Sequence, residues 1–240
     1  MAEFLILRIR IMSNTKLTRK ERYKQNFLKT REISIIPVRG PILVVCEDSK
    51  SSVIYLREKR DALKLETTKI KITGESGSHP SSVVEYARLE YYKNKAECRK
   101  TKQLHYQKVY CVFDVDSHPN LSAAIQRARD LNFIPIVSNE AFELWYLLHY
   151  LDGVPGPLTR SELNNRLSIV LGKTYDKSAS GMYDLLKTKE SNAVTLSKKM
   201  LEDAIELTTE RNPYRNPSTE VHILIEKLNE LATSPSKITK

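Results

Sequence analysis

The stretch "KVYCVFDVDSHPNLSAAIQRARDLNFIPIVS" (108–138) lays out a strand, a polar turn, a helix and a second strand in direct succession. "KVYCVF" (108–113) is a nearly continuous β-prone apolar run, as expected of a strand buried on both faces of a parallel sheet. "NLSAAIQRARDLN" (120–132) carries its apolar residues at helical spacing, and "FIPIVS" (133–138) returns to strand. Outward from this unit the alternation continues. Upstream stand the strand "ILVVC" (42–46), the amphipathic helix "SVIYLREKRDALKL" (52–65) and the alternating strand "TTKIKIT" (67–73). A glycine-containing loop then opens a long helix at Pro80 in "GESGSHPSSVVEYARLEYYKNKAE" (74–97), and "EAFELWYLLHYL" (140–151) supplies a fourth helix. Four strands alternating with four helices predict an α/β fold: a mostly parallel sheet of about four strands with helices on both faces.

After Asp152 the pattern changes. "GVPGPL" (153–158) reads as a hinge, followed by helices near 159–171, 190–210 and 217–231 with no good strand between them. The expected organisation is a basic N-terminal arm (1–39), a catalytic core (40–152), a helical C-terminal extension packed on it (153–231) and a flexible tail (232–240).

At 240 residues the chain can bury one substantial core. No apolar stretch approaches the roughly 20 residues that span a bilayer, so no membrane partner is expected. The opening "MAEFLILRIRI" is short, broken by Arg8 and Arg10, and without a small-residue cleavage site, which argues against export. Met12 begins a more ordinary polar start. Cys46, Cys98 and Cys111 show no CxxC spacing and predict neither a disulfide framework nor a structural zinc site. A cytoplasmic protein is the expectation.

The net charge of +10 favours an anionic partner. Lys16, Arg19, Lys20, Arg22 and Lys24, with Tyr23 and Phe27 among them, either lie along a phosphate backbone or form a solvated basic tail. Lys173 and Lys177 are further candidates for positioning phosphate.

The chemistry-bearing residues gather at strand ends. The first strand runs into Glu47 and Asp48, and the third into Asp114 and Asp116. In a parallel sheet both pairs emerge at one edge, beyond the carboxyl ends of the strands, where such folds bind ligands. Two carboxylates there suit Mg²⁺, which takes oxygen ligands and needs few from the protein. Acids are also common in the turns that close strands, so a DxD by itself does not discriminate. Glu143 lies one turn into the fourth helix, facing either the site or solvent. His118 is a candidate general acid or phosphate contact, or a local hydrogen-bonding group; His79 either holds substrate or simply marks a helix entry. No Walker A pattern is present.

"ILVVCEDSKSSVIYL", "GSHPSSVVEYA", "VFDVDSHPNLSAAIQRA", "IVSNEAFELWYLLHY" and "NPSTEVHILIEKL" together resemble the RloB-like family, which includes the second component of the AbiL abortive-infection system. The resemblance spans roughly residues 40–231, with the blocks in order. It implies a Toprim-like fold whose catalytic glutamate is Glu47 and whose DxD is Asp114 and Asp116. It further implies Mg²⁺, with Mn²⁺ as an alternative, held by Glu47, Asp114 and Asp116. Ser138, Asn139, Phe142, Glu143, Leu144 and Trp145 match the family's "SNPxFELW" block, and His118 a recurrent histidine. Two positions depart: Asp48 stands where relatives have glycine, and Glu140 where they have proline. Asp48 either adds a ligand or disturbs the turn, and Glu140 is expected to cap the fourth helix.

The implied function is a metal-dependent nuclease effector of anti-phage defence, acting on RNA, tRNA included, in preference to DNA. A partner ATPase of the ABC or overcoming-lysogeny type would control it. The 240 residues show no obvious room for the separate tyrosine domain of a topoisomerase, so hydrolysis is expected rather than strand transfer. The alternatives are a non-catalytic regulatory or nucleic-acid-binding subunit of that ATPase, and a small-nucleotide phosphohydrolase or nucleotidyl transferase. Homo-oligomerisation stays open.

Overall fold

The computed structural model describes residues 40–67, 69–77, 79–115, 120–207 and 214–233, with the backbone alone for 204–207. The basic arm, Asp116, His118 and the tail from residue 234 lie outside the described residues.

Strand β1 (Ile42–Cys46) is buried along its whole length, as its unbroken apolar run requires. Helix α1 (Ser51–Ala62) leads to β2 (Ile70–Thr73), and α2 (Pro80–Thr101) to β3 (Lys108–Asp114). Helix α3 (Leu121–Asp130), β4 (Ile134–Asn139) and α4 (Glu143–Leu148) complete the alternating part. Then follow α5 (Arg160–Leu171), the short α6 (Met182–Leu186), a 3-10 turn, α7 (Glu190–Leu207), β5 (Ser218–Thr219) and α8 (Val221–Thr233). The sheet has five strands in the order β2-β1-β3-β4-β5. β1 pairs in parallel with both β2 and β3, and β3 with β4; β5 is antiparallel to β4.

The fold is therefore the expected mostly parallel α/β sheet, with two corrections. There is a fifth strand, in the segment expected to be wholly helical. Ser218 and Thr219 pair with Asn139 and Ser138, which moves the start of the last helix to Val221. Helix α6 is also additional, its first turn held by Glu58 of α1, which accepts hydrogen bonds from Gly181 N and Tyr183 N.

Alternation along the strands divides the core between the two faces of the sheet. Ile42, Val44, Cys46, Tyr110, Val112 and Ile136 point to one face, covered by α1 and α4–α8. Leu43, Val45, Val109, Cys111, Phe113 and Val137 point to the other, covered by α2 and α3. Residues from 40–152 and from 153–231 thus share one core, and α8 packs on β4 and α7. The NPSTEVH segment fastens that edge. Glu220 exchanges hydrogen bonds with the backbone of Val137, Ser138 Oγ meets Thr219 Oγ1 at 2.7 Å, and Asn216 bonds both N–H and C=O of Leu158. All three cysteines are buried and free. No helix among the described residues is long and apolar enough to cross a membrane.

Candidate metal-binding and catalytic site

The chain goes from β1 outward to β2, then returns to the other side of β1 to form β3. Because α1, which follows β1, and α3, which follows β3, cover opposite faces, the loops leaving β1 and β3 diverge and open a crevice between their carboxyl ends, the usual ligand position in open α/β sheets. Glu47 follows β1 directly and Asp114 ends β3. Glu47 N donates to Val112 O, and Glu47 Oε2 accepts from Asp114 N at 3.3 Å, so the two acids meet at this crevice.

Asp114 is gripped from two further directions. Its Oδ1 accepts from Phe142 N at 2.9 Å, and its Oδ2 accepts from Arg160 Nη2 at 3.1 Å. Burial, and next to it the charge of Glu143, push the Asp114 carboxyl well above the usual carboxylate range; Arg160 opposes the shift, while Asp48 and Glu47 add to it. Glu143 is buried and turned inward to this cluster, with Tyr175 Oη donating to its Oε1 at 3.1 Å. Burial and the Glu143 charge hold the Tyr175 phenol up, so it stays a donor. Tyr146 Oη reaches Ser51 O at 2.7 Å, tying α4 to the first turn of α1.

Asp48 has a local role. Its carboxylate accepts from Ser51 Oγ at 2.7 Å and from Ser52 Oγ in the opening turn of α1. The loop after β2 presses against this turn. A Cβ on Gly74 would lie 2.2 Å from Asp48 O, and Ser76 Oγ donates to Cys46 O. His79 precedes α2 on the same edge, exposed, with Nδ1 3.5 Å from Ser81 Oγ. Lys173 and Lys177 are exposed on either side of Tyr175. Glu140 does not cap α4: the helix opens later, so its first-turn acid is Glu143.

The donor set fits a hard divalent cation. Glu47 and Asp114 offer oxygen only, and the charges of Glu143, Asp48 and Glu47 all act on Asp114, with the Arg160 guanidinium set against them. Among the described residues no group of three His, Cys, Asp or Glu is arranged to hold a metal, and Asp116 lies outside those residues.

The family model for RloB-like proteins matches residues 42–228, most of the chain. The chain belongs to the RloB-like family. No curated protein and no solved structure matches it. The RloB-like match takes in every strand and every group of the crevice described above, including two that sequence reasoning missed. Arg160 opens α5 behind Thr159, whose side chain and that of Glu162 form a capping box. That box was readable in "TRSE" as a helix start, but nothing in it points to Asp114, 46 residues away. Tyr175 is one of 12 tyrosines and carried no distinguishing signal.

Proposed function

We propose that this protein is a Mg²⁺-dependent phosphodiesterase of Toprim-like kind, a nuclease effector of anti-phage defence. The observation that supports it is the meeting of Glu47 Oε2 with the N–H of Asp114 at the crevice between β1 and β3, with Glu143 beside them. Glu47 and Asp114, with Asp116 two residues further on, would hold Mg²⁺ or Mn²⁺. When bound, such an ion neutralises charge developing on a scissile phosphate and makes water a better nucleophile. Glu47 takes the proton of the attacking water or returns one to the leaving oxygen. Arg160, 37% exposed, holds Asp114 at the mouth of the crevice and adds positive charge on the side from which a phosphate would approach. Tyr175 fixes Glu143, and Lys173 and Lys177 steer the polyanion. The preference for RNA and control by a partner ATPase rest on family resemblance.

A second reading has its own observation. Both Asp114 oxygens already have protein partners, as they would in a purely structural acid of a regulatory subunit. One experiment separates the two. The full chain is incubated with total bacterial RNA and with plasmid DNA, in Mg²⁺ or EDTA, with and without the partner ATPase, beside Glu47→Gln, Asp114→Asn and Asp116→Asn. The expected result is metal-dependent cleavage that falls roughly 100-fold or more in each folded variant. Polymers left intact with the active ATPase present, or variants that cut as well as the parent, would sink the nuclease reading. Phosphate released from mononucleotides alone would replace it with a small-nucleotide enzyme.

A further inference from the structure

Helix α2 is longer than its packing requires. Its 22 residues span about 33 Å, whereas the seven residues of β3 span about 23 Å. Pro80, Val83, Val84 and Ala87 bury its first half, and beyond them Cys98 is the buried residue. The second half and the loop after it, 89–108, hold six basic residues and two acids. Lys93, Arg99, Lys100 and Lys102 are exposed and make no ion pair with another described residue. Elsewhere Lys69, Lys71, Lys187 and Lys198 all have carboxylate partners.

Aromatic side chains lie among these cations. Tyr91 packs edge-on against Phe133 of the core, at 5.7 Å between ring centroids, and carries Tyr92 at 5.3 Å, His105 at 5.8 Å and the ammonium of Lys95 at 5.5 Å. Tyr92 itself is 50% exposed and Leu89 57%. Leu89, Tyr92, Lys93 and Lys100 recur at helical spacing and share one outward stripe. Solvated lysines are ordinary; unpaired cations beside a rigidly backed, exposed ring are the makings of a single-stranded nucleic-acid platform.

We propose that the outward stripe of α2 and the cations flanking its C-terminal end bind single-stranded nucleic acid, with phosphates on Lys93 and Lys100 of the stripe and on Arg99 and the C-capping Lys102 beside it, and a base on Tyr92. The helix starts at the carboxyl edge of the sheet, beside the crevice, and ends at the opposite edge. A ligand that reaches both is a polymer, not a mononucleotide. The inference deepens the nuclease reading, yet binding is measured without metal, so either can fail separately.

The test is fluorescence anisotropy of a labelled single-stranded RNA with the full chain in EDTA over a range of salt. The stripe variant carries Lys93→Gln, Arg99→Gln, Lys100→Gln and Lys102→Gln; the control carries Lys64→Gln, Lys69→Gln, Lys187→Gln and Lys198→Gln. Thermal melting confirms that both are folded. The stripe variant is expected to bind on the order of 10-fold more weakly or worse, with its log–log salt slope reduced by about 3. Tyr92→Ala is expected to weaken binding roughly 5-fold or more with the slope unchanged. Equal losses in stripe and control variants would reduce the effect to net charge and overturn the inference. Unchanged RNA affinity in the stripe variant, with or without a change in oligomeric state by sedimentation, would overturn it too. Intact binding without cleavage would count against the nuclease reading alone.

Discussion

Asp114 joins three parts of the molecule. Its backbone N–H meets Glu47, its Oδ1 holds the approach to α4, and its Oδ2 faces Arg160. Removing the guanidinium leaves this carboxylate among like charges with its main cationic counterweight gone. Arg160→Gln is therefore expected to lower kcat/KM roughly 10- to 100-fold, the usual cost of losing a partner that orients a metal ligand. Arg160→Lys should recover only part of it, since an ammonium is a point charge and not a planar fork. Steady-state cleavage rates across a Mg²⁺ titration check this; full activity in Arg160→Gln would make the ion pair incidental. Glu47 and Asp114 were legible because an apolar run followed at once by an acid marks a strand end, and a parallel sheet sends such ends to one edge. Arg160 and Tyr175 were not, because local periodicity carries no information about which distant strand a later element folds against.

Among elements, the β1–α1 turn and the loop after β2 are fitted to one another at Gly74. An added methyl would meet the Asp48 carbonyl at 2.2 Å and Ser49 Cα at 2.7 Å, both backbone atoms that cannot turn aside. Gly74→Ala should cost about 1–3 kcal/mol, seen as a lower denaturant midpoint at unchanged slope. It should also reduce cleavage, because the displaced turn carries Glu47. A midpoint equal to the parent's would show that the loops relax freely. The long strands and helices were readable from periodicity. β5 was not, since two residues are too few to show any, and its pairing depends on the edge that β4 leaves exposed.

Across the whole molecule, the hinge at 153–158 divides the text of the sequence but not its core. Lys59 of α1 is 1% exposed and bonds both oxygens of Glu190 in α7, which also accepts from Asn229 of α8. A fragment of residues 40–152 would lose that ion pair together with the helices that bury it. It would also strip α5–α8 from the face of the sheet they share with α1 and α4. Domains of this size have only about 5–15 kcal/mol in hand. The fragment is expected to lack a cooperative melt and to bind hydrophobic dyes, whereas 40–233 melts in one transition. A cooperative, dye-free fragment would show that the first half stands by itself.

The two layers also differ in when they become available on the ribosome. Helices α2 and α3 are made between the strands they cover, so one side of the sheet closes as it emerges. The other side has only α1 and α4 until α5–α8 are made, and with these come Arg160 and Tyr175, which bond Asp114 and Glu143. A nascent chain that has displayed Glu47 and Asp114 still lacks their counterion and half its roof. Until those helices are made, Asp114 lacks Arg160 and the part of that side which α1 and α4 leave uncovered stays open, the surface on which a chaperone would act.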